Sequence, residues 1–398
     1  MNTAEHIALA DRYSARNYLP LPVVLARGEG VWVEDVDGKR YMDMLSSYSA
    51  LNQGHRHPRV LKAMAEQMER LCLTSRAFHH DTFGAFCETI TRTCGYDRVL
   101  LMNTGAEAVE TAIKAARRWG YTRKGVDPDA AEIVVCAGNF HGRTTTIVGF
   151  STEKLYRDGF GPFGPGFVVI PYNDIPALQA AINRNTVAFF VEPIQGEAGI
   201  RVPADGYIAA AQKVCRDNNV LLVADEIQTG FGRTGKLFCC DYENVKPDIL
   251  TVGKALGGGC FPVSGALASE EIMNVFVPGN HGSTFGGNPL ACAVGKAAVD
   301  VVVEERLPEN SFELGQYLRE RIAAMNSPHV AEVRGRGLFV GVEIRRESGP
   351  ARGFCERLMG LGILAKETHG TVIRLAPPLV ITRTDLDWAL ERLETVLR

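Results

Sequence analysis

Two charged residues follow apolar segments that are typical of buried strands. Asp225 comes directly after the run 220–224, VLLVA, and Lys254 follows the run 249–252, ILTV. Burying a carboxylate or an ammonium group is costly unless it meets a partner. Asp225 could cap the next segment or form a structural ion pair, and Lys254 could extend its ammonium group to solvent.

A second interpretation assigns both residues to pyridoxal phosphate chemistry. That cofactor needs an acid that keeps its ring nitrogen protonated, and it needs a lysine that forms a covalent link and moves a proton. A lysine with a lowered pKa, next to a run of glycines and at the same sheet edge as Asp225, would meet the second need. The two positions therefore make the chain a candidate for this cofactor.

The phosphate group of such a cofactor needs hydrogen-bond donors, and two loops could supply them. Residues 103–107, NTGAE, follow an apolar run and open a helical pattern, which would expose free N–H groups and the positive end of a helix dipole. Residues 281–287, HGSTFGG, offer two hydroxyl groups and glycines that allow close backbone approach. Each loop, taken alone, could also be a plain turn.

Two arginines and a glutamate could recognise carboxylates. Arg374 lies in a strand-like segment, where its guanidinium must meet a carboxylate or a phosphate. Arg143 belongs to NFHGRT and Glu197 to VEPIQGEAG. The two arginines could hold the two carboxylates of a dicarboxylic acid, with Glu197 paired to one of them, although each residue could also be structural.

Composition argues against several other functions. The chain has 398 residues, a formal net charge of −3 and a pI near 6.3, without blocks of like charge, which argues against nucleic acid or an anionic membrane as a partner. The first 22 residues have no continuous apolar core, so we expect no signal peptide. No apolar run approaches the length of a membrane span.

The cysteines and histidines predict neither a disulfide framework nor a metal site. The ten cysteines are scattered and include no C-x-x-C pair, so we expect reduced core thiols in a cytoplasmic protein. His55 and His57 lie in GHRHP, but no third ligand follows at a suitable spacing. A structural or turn role is favoured for both, and no metal is expected.

The spacing of apolar runs predicts an α/β fold. Residues 29–44 alternate around Asp37-Gly38, which predicts a hairpin with a type I′ turn. Further along, short runs that are apolar on both faces alternate with helical patterns and predict a mostly parallel sheet covered on both sides. Seven strands are predicted, at 98–102, 132–137, 167–171, 187–193, 220–226, 248–253 and 262–268.

The alternation of short apolar runs and helical patterns changes near residue 288. Asn288-Pro289 predicts the start of a long helix over 289–305, and a last helix is predicted at 384–397. We expect an N-terminal segment with the hairpin, a large cofactor-binding domain and a smaller α+β C-terminal domain; their limits are 1–48, 49–287 and 288–398. Ligands of open α/β sheets collect at the carboxyl ends of the strands, where Asp225 and Lys254 are placed.

The motifs together resemble those of the class III, fold-type-I, pyridoxal-phosphate-dependent aminotransferases. NTGAE, NFHGRT, VEPIQGEAG, ADEIQTGFGRTG and TVGKALGGG occur in that order, and the resemblance covers nearly the whole chain. The segments RNYLPLP and LSSYSALNQGHRHP resemble the branch of the class that acts on ornithine. His141 is a departure, because some enzymes of that branch have tryptophan at this position.

The resemblance implies cofactor contacts at the matching positions. Lys254 would be linked to pyridoxal 5'-phosphate and would move the proton, while Asp225 would pair with the pyridine nitrogen. Phe140 would stack on the ring, and Gln228 would approach its phenolic oxygen.

The phosphate contacts are implied in the same way. The backbone N–H groups of Gly105 and Ala106 would bind the phosphate. Ser283 and Thr284 belong to the second loop, and Thr284 would reach the phosphate of the neighbouring subunit. This last contact implies a homodimer at minimum.

The substrate contacts implied by the resemblance involve five residues. Tyr18 and Arg143 would hold the α-amino and α-carboxylate ends of ornithine, and Tyr48 would line the same pocket. Glu197 would neutralise Arg374 while ornithine is bound and would move aside when 2-oxoglutarate enters. One pocket would thus accept a cationic δ-amine and a dicarboxylate in turn.

Three alternatives stay open for the function. Another class III aminotransferase could act on N-acetylornithine, 4-aminobutyrate or lysine. A binding module without activity could keep the fold, although it would be expected to lack the lysine or the aspartate. A dinucleotide-binding oxidoreductase would need G-x-G-x-x-G after the first strand, and that motif is missing there.

Overall fold

Alternating strands and helices dominate the chain, as the apolar pattern predicts. The computed structural model describes residues 1–398. The fifteen strands, numbered in chain order, are β1 Leu25–Glu29, β2 Trp32–Asp35, β3 Arg40–Asp43, β4 Arg98–Met102, β5 Glu132–Cys136, β6 Phe167–Ile170, β7 Thr186–Val191, β8 Leu221–Asp225, β9 Ile249–Val252, β10 Ser264–Ala268, β11 Val330–Arg336, β12 Phe339–Ile344, β13 Ile363–Leu364, β14 Lys366–Thr368 and β15 Val372–Leu375.

The helices fall between these strands and at both ends of the chain. The α-helices are Thr3–Tyr13, Pro58–Met68, Asp81–Cys94, Gly105–Trp119, Thr145–Gly149, Lys154–Arg157, Ile175–Ala181, Tyr207–Asp217, Glu270–Met273, Pro289–Glu304, Leu307–Ala324, Ala351–Gly360 and Arg383–Leu397. Short turns of other helical types span Gly120–Lys124, Cys239–Glu243, Lys254–Gly257 and Arg346–Ser348. No helix combines the length and the apolar character that crossing a bilayer requires.

The seven predicted strands form the central sheet, in the order β4-β10-β9-β8-β7-β5-β6. β10 is antiparallel to both of its neighbours, and the other pairs are parallel, which confirms the mostly parallel sheet. Successive strand residues enter two different cores: Val134 and Phe189 on one face, Val135 and Phe190 on the other. Burial of both faces explains why these strands are continuously apolar.

The N-terminal hairpin forms, but its turn differs from the prediction. β2 and β3 pair antiparallel on either side of Asp37-Gly38. Only Gly38 has a positive φ, +84°, whereas a type I′ turn requires two such residues. The Asp35 carboxylate explains the difference, because it accepts the N–H groups of Asp37 (3.0 Å) and Lys39 (2.8 Å) and closes a different turn.

Two smaller sheets complete the fold. β1, β2, β3 and β13 form one of them, in which β13 is parallel to β3 and joins Ile363 to Met42. β11, β12, β15 and β14 form the other, which is antiparallel. The limits proposed for the domains, 1–48, 49–287 and 288–398, stay a prediction, and the first segment is paired with the C-terminal part of the chain.

The long helix after residue 288 begins as its sequence indicates. Asn288 Oδ1 accepts the N–H of Ala291 at 2.8 Å, and Pro289 occupies the first helical position. The helix ends at Glu304, one residue before the predicted end. The last helix, Arg383–Leu397, begins with a capping box between Thr382 and Asp385.

Candidate active site

The carboxyl ends of β4, β5, β7, β8 and β9 surround one cavity of about 190 Å³. The loops that follow these strands meet there because the five strands run in one direction. The cavity is lined by Gly105, Ala106, Phe140, His141, Gly142, Glu192, Ile194, Asp225, Ile227, Gln228, Thr229 and Lys254. The structure thus brings together six of the residues singled out in the sequence.

Asp225 is fixed at the end of β8 by three groups. Its Oδ2 lies 2.6 Å from His141 Nδ1, and its Oδ1 accepts the Ile227 N–H at 3.1 Å and the Thr251 hydroxyl at 3.2 Å. Burial alone would lower the pKa of His141, but the hydrogen bond and the charge of Asp225 outweigh burial and raise it. A carboxylate held in this way is suited to a protonated ring nitrogen.

Lys254 follows β9, which pairs with β8 and places Asp225 opposite Thr251. Burial lowers the pKa of the Lys254 ammonium, although the charges of Glu197 and Asp225 oppose the shift. The residue also has a left-handed backbone, with a φ of +46°. Strain of this kind concentrates at functional sites, and a lowered pKa favours the free amine that nucleophilic attack and proton transfer require.

Backbone donors at a helix start also line the cavity. Gly105 and Ala106 are the first residues of the helix Gly105–Trp119, so their N–H groups have no intrahelical acceptor. Thr104 and Glu107 form a capping box that holds the helix start. The first turn of this helix is therefore suited to an anion such as a phosphate.

Phe140 and Gln228 also line the cavity. The Phe140 N–H donates to Glu192 Oε2 at 2.9 Å, which fixes the loop after β5. Gln228 Nε2 donates to Glu197 Oε1 at 3.3 Å. Gly196 lets Gln228 pack closely, since a Cβ there would overlap the Gln228 amide oxygen.

Arg374 and Glu197 form a buried bidentate ion pair. Arg374 Nη1 and Nη2 donate to Glu197 Oε1 and Oε2 at 2.8 and 2.9 Å, and Arg374 Nε is buried without a partner. Burial alone would raise the pKa of Glu197, but Arg374 outweighs it, with a smaller effect of Lys254, and the pKa falls to about 2. Glu197 is therefore a carboxylate at neutral pH, as the predicted pairing requires.

The remaining predicted substrate contacts lie outside the cavity lining. The Arg374 Cζ lies 5.1 Å from the centre of the Tyr48 ring. Arg143 is exposed, has no carboxylate partner, and lies 4.0 Å from the centre of the Tyr156 ring. Tyr18 is 76% exposed in an extended segment after the first helix.

Ser283 and Thr284 are not brought into the cavity of the same chain. Ser283 Oγ accepts the Asn103 amide at 2.9 Å and the Gly286 N–H at 3.1 Å. Thr284 and Phe285 are exposed. The loop is thus ordered by internal contacts, while its tip faces outward.

Three residues at the site were missed in the sequence. Glu192 ends an apolar strand as Asp225 does, and this shared signal could have identified it; burial raises the pKa of Glu192 to about 8. His141 was noted only as a departure from the family, yet it stacks on Phe190 at 4.5 Å and holds Asp225. Tyr156 gave no local signal, because its contact with Arg143 depends on tertiary packing.

The histidines and cysteines make ordinary contacts. His55 Nε2 lies 2.8 Å from Asp43 Oδ2, and His57 Nε2 lies 3.2 Å from a Glu305 oxygen. All ten cysteines are free thiols, most of them buried.

The cavity fits pyridoxal phosphate. It has a fixed carboxylate for the ring nitrogen, an amine with a lowered pKa, an aromatic side chain at Phe140 and a helix start with free N–H groups for the phosphate. The fit depends on groups at the ends of four strands, so it is more specific than any one motif.

The family comparison agrees with this chemistry. The model of the family "Aminotransferase class-III" matches residues 13–397. The chain belongs to the class III aminotransferases, which are pyridoxal-phosphate-dependent enzymes of fold type I.

Individual relatives are similar to this chain over nearly its full length. An ornithine aminotransferase of Geobacillus sp. (strain WCH70) is 59% identical over 394 residues, which cover 99% of this chain and 98% of the relative. The crystal structure of the Toxoplasma gondii ornithine aminotransferase, with pyridoxal phosphate at partial occupancy, has a TM-score of 0.98 and 45% identity, covering 100% of this chain and 94% of that one. An acetylornithine aminotransferase of Elizabethkingia anophelis has a TM-score of 0.91 and 47% identity, covering 100% and 99%.

Proposed function

We propose that the protein is an ornithine δ-aminotransferase. It transfers the δ-amino group of L-ornithine to 2-oxoglutarate and yields glutamate 5-semialdehyde and glutamate. The semialdehyde cyclises to pyrroline-5-carboxylate with loss of water. The names of the full-length relatives from Geobacillus and Toxoplasma support this choice of substrate.

The observation that carries the proposal is the Arg374–Glu197 pair next to Lys254. Removing one partner from a buried ion pair leaves an uncompensated charge, which is strongly unfavourable. The Arg374–Glu197 pair is neutral overall, so the pocket beside it accepts the apolar stem and cationic end of ornithine. Once Glu197 turns away, Arg374 is available to the α-carboxylate of a 2-oxo acid. The pair thus provides one pocket for two substrates of opposite charge.

The residues of the chain divide the chemistry among them. Bound pyridoxal phosphate would supply an aldehyde that accepts the amino group and a ring that withdraws electrons. Asp225 would keep the ring nitrogen protonated, and Gly105 and Ala106 would bind the phosphate through their N–H groups. Lys254 would link to the cofactor and, as a free amine with a lowered pKa, would serve as the base that holds and moves a proton beside it. Phe140 and Gln228 hold the ring in position.

The far end of ornithine is held by Tyr18 and Arg143, with Tyr48 lining the pocket. Arg143 has no carboxylate partner within the chain, so it is free to bind the α-carboxylate of the substrate. The Tyr156 ring beneath the Arg143 guanidinium supports this orientation. A substrate whose δ-amine meets Lys254 must then extend its α-carbon toward Arg143.

We also propose a cytoplasmic homodimer. Thr284 is exposed and does not line the cavity of its own chain, as expected of a residue that serves a neighbouring subunit. Four large apolar side chains, Phe78, Leu155, Phe160 and Phe285, are exposed and would be covered by a second copy. Ten unpaired thiols support a reducing compartment.

One assay tests the substrate directly. We expect the purified holoenzyme to form pyrroline-5-carboxylate from ornithine and 2-oxoglutarate, measured as its adduct with o-aminobenzaldehyde, and to release glutamate in parallel. N-acetylornithine and 4-aminobutyrate, followed through glutamate release, should have kcat/KM values lower by at least about tenfold, since an acetylated or missing α-amine loses its contacts near Tyr18.

The second candidate function, that of an acetylornithine aminotransferase, makes the opposite prediction. The acetylornithine aminotransferase of Elizabethkingia anophelis is 47% identical to this chain, so the acetylated substrate is the sharpest competitor. A higher kcat/KM for N-acetylornithine than for ornithine would reject our proposal. Lys254→Ala is the control, because it should abolish glutamate release from every amine.

A further inference from the structure

Four consecutive residues next to the site have a left-handed backbone. Ser46, Ser47, Tyr48 and Ser49 have φ values of +44°, +47°, +59° and +73°, and none of them is glycine. Left-handed conformation costs non-glycine residues roughly 1–2 kcal/mol each. The surrounding structure must therefore hold this left-handed turn, residues 46–49, in place.

Two groups fix the start of the left-handed turn. Asp43 Oδ1 accepts the N–H groups of Leu45 at 2.9 Å and Ser46 at 2.8 Å, and His55 holds the other oxygen of Asp43. The Ser46 hydroxyl donates to the Ala376 carbonyl at 2.7 Å. The turn is thus joined to the chain just after β15.

Arg233 binds the same turn from the core. Its Nη2 donates to Ser46 Oγ at 2.8 Å and to Asn52 Oδ1 at 2.7 Å. Its Nη1 donates to the carbonyls of Leu338 at 2.9 Å and Pro377 at 2.6 Å. The guanidinium therefore connects the left-handed turn, the start of β12 and the segment after β15.

The environment of Arg233 is unusual for a charged side chain. The residue is fully buried and no carboxylate lies within ion-pair distance of it. Burial lowers the pKa of Arg233 to about 9, although the charge of Asp43 opposes the shift. A cation placed at such cost, with its four hydrogen bonds directed to three segments, fixes the relative position of those segments.

The connected segments lie on both sides of Arg374. Ala376 and Pro377 follow it by two and three residues, and the Tyr48 ring lies 5.1 Å from its Cζ. Neither Arg233 nor Ser46 lines the cavity. Their effect on substrates must therefore pass through Tyr48 and Arg374.

We propose that Arg233 is a positioning residue that holds the left-handed turn and thereby aligns Tyr48 with Arg374 for the 2-oxo acid half-reaction. This inference rests on the proposed function. In the ornithine half-reaction Arg374 is neutralised by Glu197 and its alignment matters less. In the second half-reaction Arg374 binds a carboxylate directly, so a small displacement weakens that bond.

The test separates the two half-reactions. Ser46→Ala removes the hydroxyl that joins Arg233 to Ala376, and Arg233→Lys and Arg233→Met remove progressively more of the four bonds. Single-turnover absorbance changes of the holoenzyme give kcat/KM for ornithine and, separately, for 2-oxoglutarate. We expect Ser46→Ala and Arg233→Lys to lower kcat/KM for 2-oxoglutarate by about tenfold and kcat/KM for ornithine by less than about threefold. Arg233→Met should lower kcat/KM for 2-oxoglutarate further.

A matched control variant separates the positioning role of Arg233 from a general loss of stability. Arg319 is partly buried and donates to the Gly337 carbonyl at 3.0 Å, next to the residue that Arg233 binds, but it does not touch the left-handed turn. Arg319→Met should leave the ratio of the two half-reactions unchanged. Equal losses in both half-reactions, or wild-type values in Ser46→Ala, would overturn the positioning role. A wild-type enzyme that fails to turn over ornithine would instead reject the proposed function itself.

Discussion

At the scale of single residues, the site depends on acids and bases that follow apolar strands. Asp225 ends a strand of the central sheet, and Glu192 and Lys254 follow two others. His141 holds Asp225, whereas burial raises the pKa of Glu192 and lowers that of Lys254. Glu197 differs, because it lies in a loop and owes its charge to Arg374. The ion pair therefore depends on a tertiary contact between a loop and β15, and not on the ends of neighbouring strands of one sheet.

This pair predicts a pH dependence of stability. The folded pKa of Glu197, about 2, is below its ordinary value of 4.5, so the folded state favours the ionised form. The corresponding stabilisation is present above about pH 4.5 and is lost as the pH falls toward 2; it is on the order of 3 kcal/mol. We expect the free energy of unfolding of Glu197→Gln, measured with urea, to fall less steeply over this range than that of the wild type.

An exposed acid provides the comparison. The side chain of Glu391 is 78% exposed and lies 3.6 Å from Arg392. Glu391→Gln should retain the wild-type slope between pH 4.5 and pH 2. A Glu197→Gln profile parallel to the wild type would show that the pair does not stabilise the folded state.

At the scale of elements, the sequence predicts the central sheet well and the smaller sheets poorly. The seven strands and the helix after Asn288 have local signals, namely continuous apolar runs and a cap followed by proline. The pairing of β13 with β3 joins residues more than 300 positions apart, and no local pattern encodes it. The left-handed turn 46–49 was also missed, because SSYS has no glycine and its conformation depends on Arg233.

The same distinction applies to the candidate site. Lys254, Asp225 and the helix start at Gly105 could be found from strand ends and turn residues. The contacts of His141 with Asp225 and of Tyr156 with Arg143 could not, because they join different loops. The roles assigned to all the site residues, including Tyr18, Ser283 and Thr284, stay predictions.

The loop after β7 yields a prediction about close packing. A Cβ at Gly196 would overlap the Gln228 amide oxygen and lie 2.9 Å from Phe339 Cζ. We expect Gly196→Ala to displace Gln228, which holds Glu197, to destabilise the protein by about 1–3 kcal/mol and to lower kcat/KM for ornithine. Thermal unfolding and steady-state kinetics would measure the two effects.

A helical glycine serves as the control. A Cβ at Gly360, at the end of the helix Ala351–Gly360, would have no neighbour within 4 Å. Gly360→Ala should keep both stability and activity. If Gly196→Ala behaves like Gly360→Ala, close packing of Gln228 is not required.

At the scale of the whole molecule, the exposed apolar side chains and the outward tip of the 281–287 loop point to a second copy. Thr284 is exposed, whereas the phosphate end of the cavity in the same chain is formed by Gly105 and Ala106. We propose that a phosphate contact from Thr284 crosses between subunits. The proposed dimer would complete two sites at once.

Mixed dimers test this arrangement. Thr284→Val and Lys254→Ala should each lower activity as pure dimers, and co-expression of the two chains should restore one fully active site in each mixed dimer. That site takes Lys254 from one subunit and Thr284 from the other. If Thr284 serves its own chain, the purified mixed dimer will be no more active per site than Thr284→Val.

The pairing of β13 with β3 has a consequence for biosynthesis. All seven strands of the central sheet have been synthesised once the ribosome has translated residue 268. The N-terminal hairpin, in contrast, cannot pair with β13 until residues 363–364 have been synthesised. Arg374 emerges later still, and with it the partner of Glu197. The nascent chain therefore carries its lysine and aspartate long before it can close the pocket around a substrate, and competence arises only as synthesis ends.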